Sequence, residues 1–146
     1  MVGLGLLMRK GAEDKLYMDL AKRVAQESYC VRQKVGAAIV TNVHGLFLGF
    51  NGTPSGYQNV CELSEGVSDP LVIHAEENAL SKMLKEGVAA SGAKLYTTLS
   101  PCVECTKMLY SAGIKEVNYL EDFRSTEHLD TFRELGMVIR KWEEVE

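Results

Sequence analysis

A closely spaced pair of cysteines constrains this fold, because a metal site built on the pair would need further ligands from elsewhere in the chain. Residues 101–105 read Pro-Cys-Val-Glu-Cys, and a CxxC pair of this kind serves in structural zinc sites, redox dithiols, disulfides or catalytic metal sites. His74 stands 28 positions before Cys102 and is followed by Ala75 and Glu76. If these residues share one site, two distant segments of the chain must converge there.

The first half of the chain predicts a helix followed by a hairpin. Residues 13–28 carry apolar side chains at the spacing of one helical face. Two short apolar runs, 35–41 and 46–50, are separated by a four-residue loop, which is typical of an antiparallel hairpin. Residues 52–70 are rich in Gly, Pro, Ser and Asn, and we expect them to form mostly loop.

The second half of the chain alternates helices with strands. The predicted helices are 74–86, 100–112 and 125–135, and the predicted strands are 94–99, 116–120 and 137–142. Ser100 is expected to be an N-cap, with Pro101 at the first helical position. The β-α-β-α-β order favours parallel strands, whereas the early hairpin is antiparallel, so we expect a mixed sheet covered by helices.

Length and charge narrow the classes of protein. The 146 residues are expected to form a single domain, 1–146. Sixteen basic and twenty acidic residues give a net charge of -4, which argues against a polynucleotide partner. The apolar run 2–8 is far shorter than a membrane span. We therefore expect a cytoplasmic protein without a membrane partner, located in the host cytoplasm if the chain is viral.

Three potential ligands point to a catalytic rather than a structural metal site. A structural zinc site needs four protein ligands, and the sequence has neither a second CxxC nor an HxxxH motif. Cys102 and Cys105 lie three apart at a predicted helix start, so both thiols share a face and the helix dipole favours their thiolates. With His74 they make three ligands, which leaves a fourth position open. Glu76 would stand beside the metal and carry protons.

The two motifs together form a known signature. HxE followed by PCxxC is typical of zinc-dependent nucleobase deaminases, and both halves match here at every defined position. A structural metal site in a nucleotide-binding or assembly protein without turnover remains the alternative. His44 and His128 are expected to face solvent.

The chain resembles the deoxycytidylate (dCMP) deaminases over residues 17–142. The resemblance rests on the segments CVRQKVGA (30–37), GFNGTPSG (49–56), HAEENA (74–79), LSPCVEC (99–105) and GIKEV (113–117). It implies a three-layer α/β/α cytidine-deaminase-like fold with a mixed central sheet of about five strands. It also implies hydrolysis of dCMP to dUMP and ammonia, which supplies dUMP for thymidylate.

The resemblance assigns roles to individual residues. One catalytic zinc would be held by His74, Cys102 and Cys105 and would activate the water that attacks C4, while Glu76 would protonate N3 and then the departing amine. Asn51 would hydrogen-bond the sugar. The 5′-phosphate needs a cationic partner, and the candidates are Lys34, Arg32 and Arg124. The candidates for contact with the base are Tyr119 and Phe123.

Regulation and assembly are also implied by the resemblance. Members form homohexamers that dCTP activates together with Mg²⁺ and that dTTP inhibits. Residues 49–56 would help to form the effector site, because exposed backbone amides in such loops can cradle phosphates. The candidate effector residues are Gly49, Phe50, Asn51 and Gly52.

Other zinc-dependent deaminases match the chain less well than the dCMP deaminases do. A tRNA adenosine deaminase shares the zinc motifs, but its polynucleotide substrate fits badly with a net charge of -4. A free-cytidine deaminase normally has cysteine where His74 stands.

Some viral members of the dCMP deaminase family hold a second zinc through cysteines placed like Cys30 and Cys61, but residues 62–73 contain no histidine. Buried packing of two free thiols is therefore expected for this pair.

Overall fold

The computed structural model describes residues 11–143. Within this range the chain forms four helices and seven strands. In chain order they are α1 (Ala12–Ala25), β1 (Gly36–Val40), β2 (Leu46–Phe50), β3 (Glu62–Ser64), β4 (Val67–Ser68), α2 (Ala75–Glu86), β5 (Lys94–Leu99), α3 (Val103–Ser111), β6 (Glu116–Glu121), α4 (Glu127–Glu134) and β7 (Val138–Lys141).

The main sheet is mixed, as the sequence predicts. Its five strands lie in the order β2-β1-β5-β6-β7. β1 is antiparallel to both β2 and β5, whereas β5, β6 and β7 run parallel. The two parallel pairs are joined by crossovers through α3 and α4, because a parallel connection must return the chain to the same end of the sheet.

Helices cover both faces of this sheet. Successive side chains of a strand point to opposite faces, so Ala38 in β1 packs with Tyr17 and Met18 of α1, while Ile39 packs on the other side. That second side is covered by α2, α3 and α4, whose fully buried contributors include Leu109 and Leu129. The three-layer α/β/α arrangement is thereby confirmed.

The start of α3 differs from the prediction. Cys102 is the N-cap and the helix begins at Val103, so Ser100 and Pro101 precede it. The Ser100 hydroxyl is engaged elsewhere, since its Oγ accepts a hydrogen bond of 2.7 Å from the Phe123 backbone amide. Cys102 takes over the capping role, with its Sγ accepting from the Cys105 amide at 3.5 Å.

Residues 52–70, expected to form mostly loop, contain a small hairpin. The expectation that Cys30 and Cys61 are free thiols is wrong. β3 and β4 pair antiparallel with each other and form a separate two-stranded sheet. Just before this hairpin, Cys61 is bonded to Cys30 in a disulfide. The prediction failed because the two cysteines are 31 positions apart, and only the folded chain brings them together.

Membrane insertion finds no support in the helices. Among residues 11–143, none of the helices combines the length and the apolar character that crossing a bilayer requires. The apolar run 2–8 lies outside the described residues.

His44, expected to face solvent, is instead half-buried. Its Nδ1 atom lies 3.3 Å from the Tyr17 hydroxyl and 3.5 Å from a Glu13 carboxylate oxygen.

A close backbone contact sets the position of α2 on the sheet. A Cβ atom on Gly49 in β2 would lie 2.3 Å from the Ala75 carbonyl oxygen and 2.6 Å from the Ala79 amide nitrogen. Only glycine permits this approach. The Asn78 side chain reinforces the contact by donating a hydrogen bond of 2.9 Å to the Phe50 carbonyl. The first turn of α2 is therefore held tightly against β2.

Replacing Gly49 with alanine should destabilise the protein strongly. Because the new methyl group would meet backbone atoms that cannot rotate away, we expect Gly49→Ala to lower the free energy of unfolding by about 2 to 3 kcal/mol. Urea denaturation measures this loss. Gly56→Ala is the control, since its φ is +91° and its Cβ would enter open space, so only backbone strain of about 1 kcal/mol is expected. Equal losses in the two variants would contradict the packing explanation.

Candidate functional site

Two helix N-termini meet at one end of the sheet. His74 is the N-cap of α2 and Cys102 is the N-cap of α3, and both have extended backbones. The His74 backbone amide donates a hydrogen bond of 2.9 Å to the Glu77 carboxylate, which fixes the first turn of α2. Because both residues occupy the cap position, their side chains project from helix ends rather than from helix sides.

Three potential metal ligands converge there. The His74 Nδ1 atom lies 3.1 Å from the Cys105 Sγ and 3.7 Å from the Cys102 Sγ. All three ligand atoms lie within 4.8 Å of one another. Cys105 is buried, Cys102 is half-buried and His74 is exposed. The structure therefore brings together the three residues that the sequence motifs single out.

The protonation of the three side chains is coupled. Hydrogen bonds from Cys105 and His74 lower the pKa of the Cys102 thiol to about 3. The bond to Cys102 raises the pKa of His74 to about 9. The pKa of Cys105 is raised, because its thiol shares a proton with Cys102 and is buried. A metal cation that binds here must displace the shared protons, as thiolate and neutral imidazole are the ligand forms.

The ligand set fits zinc. Zn–S and Zn–N bonds of about 2.3 and 2.0 Å at tetrahedral angles place ligand atoms roughly 3.5 Å apart, close to the separations of 3.1 and 3.7 Å seen here. Two thiolates and an imidazole are also the donors that zinc prefers. Three protein ligands leave one tetrahedral position for a water or a substrate atom.

Glu76 lies beside the ligands without being one of them. It is the second residue of α2 and is only 4% exposed. Its carboxylate is not among the converging ligand atoms. Burial raises the pKa of Glu76 to about 6, although hydrogen bonds from its own backbone and from Cys105 act in the opposite direction. A carboxyl group with this pKa can both accept and donate a proton near neutral pH.

A cavity of about 410 Å³ is lined by two of the ligands, His74 and Cys102, and by Glu76. One wall comes from residues 30–35 after α1 and a second from residues 61–72 around the small hairpin. The remaining walls are the start of α2, residues 99–102 and the loop 123–124. This volume lies in the usual range for small-molecule sites.

Two arginines line this cavity. The guanidinium carbon of Arg124 lies 4.9 Å from the centre of the Phe123 ring, and Arg124 itself has a left-handed backbone with a φ of 49°. The Arg32 guanidinium donates a hydrogen bond of 3.0 Å to the Ser68 hydroxyl. Both side chains are placed to attract an anionic group of a ligand.

Two of the predicted substrate contacts lie elsewhere. Lys34 does not line the cavity, and its ammonium group donates to the Ser28 carbonyl. Tyr119 is 4% exposed and packs in the hydrophobic core under the helices, because its position on β6 directs the ring into the interlayer space. The structure therefore brings neither residue to the cavity, and Phe123 is the aromatic residue that lines it.

Asn51 lies in the cavity wall, but its amide is already engaged. Its Oδ1 accepts from the Val35 amide and its Nδ2 donates to the Gln33 carbonyl, both at 2.8 Å. The side chain thus braces residues 33–35. Each of its polar atoms keeps one further hydrogen-bonding position for a ligand.

The neighbouring effector candidates are used within the fold. Gly49 faces α2, and Phe50 contributes its carbonyl to Asn78. The Asn51 backbone amide donates a hydrogen bond to the Val35 carbonyl at 3.2 Å. The Gly52 backbone amide donates to the Ile73 carbonyl at 3.1 Å. The expectation of exposed amides is therefore wrong for Asn51 and Gly52.

The sequence analysis did not predict the supporting roles of Ser100 and His128. The Ser100 amide donates to the Glu121 carbonyl at 2.9 Å, and its hydroxyl holds Phe123, so Ser100 ties the metal-ligand loop to the loop after β6. His128, expected to face solvent, is half-buried and its Nε2 lies 3.0 Å from the Pro101 carbonyl oxygen. No local pattern marks His128, because its partner is 27 positions away.

The site combines a His/Cys/Cys ligand set, a buried glutamate and an adjoining cavity on a three-layer α/β/α fold. These features are typical of a zinc-binding enzyme. Residues 12–121 match the family model of the cytidine and deoxycytidylate deaminase zinc-binding region. Because the match spans most of the chain, the protein belongs to this family.

Individual relatives agree with this membership. ComE operon protein 2 of Bacillus subtilis is 32% identical over 93% of this chain and 74% of its own length. The deoxycytidylate deaminase of enterobacteria phage T4 is 31% identical over 73% of this chain and 76% of its own. The dCMP deaminase of cyanophage S-TIM5, solved in complex with dCMP and dUMP, is 42% identical with a TM-score of 0.86, and the match covers 92% of this chain and all of that one.

Proposed function

We propose that this protein hydrolyses dCMP to dUMP and ammonia and so supplies dUMP in pyrimidine deoxynucleotide metabolism. One observation carries the proposal: the S-TIM5 dCMP deaminase, solved with dCMP and dUMP, shares its fold over 92% of this chain with a TM-score of 0.86. In the present structure the cavity is lined by His74 and Cys102 of the ligand set and by the buried Glu76.

His74, Cys102 and Cys105 would hold one zinc ion. Bound zinc supplies Lewis acidity that lowers the pKa of a water to about 7. The two thiolates offset the charge of the cation, and the two helix N-termini stabilise those thiolates. The half-buried Cys102 and the exposed His74 border the cavity, while Cys105 is buried and does not line it.

Glu76 carries the protons of the reaction. Addition of water to C4 and loss of the 4-amino group require one proton to move from the water to N3 and another to reach the departing amine. A carboxylate with a pKa of about 6 can accept the first proton and release it again at neutral pH. Its position at 4% exposure keeps bulk water from competing for these protons.

The cavity has groups for each part of a nucleotide. Val72, Leu99 and Phe123 offer apolar contact to the base. Asn51 can use its remaining hydrogen-bonding positions toward the sugar hydroxyl. Arg124 is the favoured partner of the 5′-phosphate, because no hydrogen bond within residues 11–143 ties its guanidinium to the cavity wall, whereas Arg32 is bonded to Ser68.

Removing the proton carrier should abolish turnover without releasing zinc. We expect Glu76→Gln to lower the rate of ammonia release from dCMP by about 10² to 10⁴, because the amide cannot accept and return a proton. Zinc content, measured by atomic absorption on the same sample, should stay at the wild-type value.

Cys105→Ala is the matched comparison. This variant should lose both zinc and turnover, since it removes a ligand rather than a proton carrier. Unchanged turnover in Glu76→Gln would contradict the catalytic assignment and favour the alternative, a structural zinc site.

Loss of Arg124 should weaken binding of the phosphorylated substrate only. Charge-assisted hydrogen bonds to a phosphate contribute about 1.5 to 3 kcal/mol, so Arg124→Ala should raise the KM for dCMP by at least about tenfold. The kcat/KM for deoxycytidine, which lacks the phosphate, should not change. Lys34→Ala is the control, because Lys34 lies outside the cavity. A selective rise in KM for Lys34→Ala instead would show that the phosphate assignment is wrong.

Regulation, assembly and location complete the proposal. We infer from family membership that the chain forms a cytoplasmic homohexamer that dCTP with Mg²⁺ activates and dTTP inhibits. Ammonia release from dCMP at subsaturating substrate should therefore rise with dCTP and Mg²⁺ and fall with dTTP. A flat response to both triphosphates would contradict the regulation and leave the chemistry of the site intact.

A further inference from the structure

We propose that Cys30 and Cys61 form a thiol–disulfide exchange site that controls one wall of the cavity. The two cysteines are bonded to each other, each is only 2% exposed, and both line the cavity. Neither takes part in the zinc ligand set. The exchange chemistry stands independently of the reaction catalysed, whereas its effect on nucleotide binding rests on the proposed function.

The wall concerned is residues 61–72, termed the hairpin wall. Its strands β3 and β4 pair only with each other and not with the five-stranded sheet. Its apolar side chains are largely in water, since Leu63, Val67 and Leu71 are 59%, 48% and 51% exposed. A segment that buries so little apolar surface has little stability of its own and depends on its attachments.

The disulfide is the strongest attachment between the hairpin wall and the opposite wall, residues 30–35. The other hydrogen bonds between these walls within residues 11–143 are exposed. The Val31 amide donates to both oxygens of the Glu62 carboxylate, at 3.3 and 3.4 Å, and Arg32 donates to the Ser68 hydroxyl at 3.0 Å. Exposed hydrogen bonds compete with water and contribute little net stability. Breaking the disulfide therefore leaves the two walls joined only weakly.

The disulfide also contacts Asn51, which lines the cavity. The Cys30 Sγ lies 3.7 Å from the Asn51 carbonyl oxygen, which also accepts a hydrogen bond of 2.8 Å from the Ser28 hydroxyl. Asn51 in turn braces residues 33–35. A change at Cys30 is thus transmitted to a residue that lines the cavity through direct contacts.

The exchange step needs a disulfide oxidant of low molecular mass, such as glutathione disulfide. The thiolate of one cysteine attacks a glutathione sulfur, breaks its S–S bond and releases one glutathione. The second cysteine then attacks the mixed disulfide and releases another. The protein loses two protons and two electrons, and one glutathione disulfide becomes two glutathione molecules. Because both cysteine residues are only 2% exposed, each exchange requires the hairpin wall to open.

Ligand binding and oxidation are coupled in both directions. If the disulfide holds the wall in the shape that binds nucleotide, the oxidised protein binds nucleotide more tightly. By thermodynamic linkage, bound nucleotide must then favour the disulfide by the same factor. A purely structural disulfide would show no such effect of nucleotide.

The first test does not depend on activity. Wild type and the Cys30→Ser/Cys61→Ser double variant are equilibrated in reduced or oxidised glutathione, unfolded in the presence of a chelator and titrated for thiols. Wild type should show two thiols fewer in oxidised than in reduced glutathione, whereas the double variant should show no difference. Amide hydrogen exchange in residues 62–72 should be at least about tenfold faster in reduced wild type, with α2 unchanged.

Two results would overturn the proposal. One is an equal thiol count in both buffers. The other is two metal ions per wild-type chain and one in the double variant, because Cys30, Cys61 and Glu62 also offer three ligand atoms within 4.8 Å, and thiolates that bind a metal cannot form a disulfide.

The second test measures the coupling to nucleotide. The KM for dCMP should be about fivefold higher in reduced than in oxidised wild type, and the double variant should show the higher value in both buffers. The glutathione ratio at half oxidation should shift by the same factor when dCMP saturates the inactive Glu76→Gln variant. Equal KM values in the two buffers would refute control of the cavity. If dCMP is not deaminated at all while thiol counts and amide exchange behave as expected, the proposed function fails and the exchange site stands.

Discussion

The convergence of two helix N-termini is the constraint on which the rest of this structure depends. His74 caps α2, Cys102 caps α3, and the Nδ1 to Sγ distances of 3.1 and 3.7 Å require the two helices to start within one side-chain length of each other. This is possible because Gly49 lets the backbone of α2 lie directly on β2. In the sheet, β1 lies between β2, on which α2 packs, and β5, which leads into α3.

The cavity depends on attachments of a different kind. Its floor is rigid, because the His/Cys/Cys ligands and Glu76 belong to helix termini packed on a buried sheet. Its rim is built from segments that lack a core of their own and are joined by Cys30–Cys61 and by the Ser100 hydrogen bonds to the loop after β6. In the proposed reaction, a rigid centre would keep the geometry of proton transfer, while a looser rim could open to admit and release a ligand.

Local sequence patterns predicted the elements well where one physical signal dominated. The helix predicted over 74–86 is observed over Ala75–Glu86, because an apolar face and Gly87 at a φ of 69° define its course and its end. The start of α3 was mispredicted, since Ser100 is a good N-cap in isolation but bonds to Phe123 across the fold. Lys34 and Arg124 looked equivalent as phosphate partners in the sequence. The fold separated them, with Arg124 at the cavity and Lys34 bonded to Ser28.

The sequence by itself determined the chemistry of the centre. The residue types in His74-Ala75-Glu76 and in Cys102 to Cys105 indicate three candidate metal ligands and a candidate proton carrier, and their placement at helix starts follows from local periodicity and capping. Only the tertiary structure decided which groups surround that centre, including the disulfide between Cys30 and Cys61 and the burial of Tyr119. The physical reason is range: capping and periodicity act within a few residues, whereas cavity walls are made by segments whose proximity depends on the packing of the whole sheet.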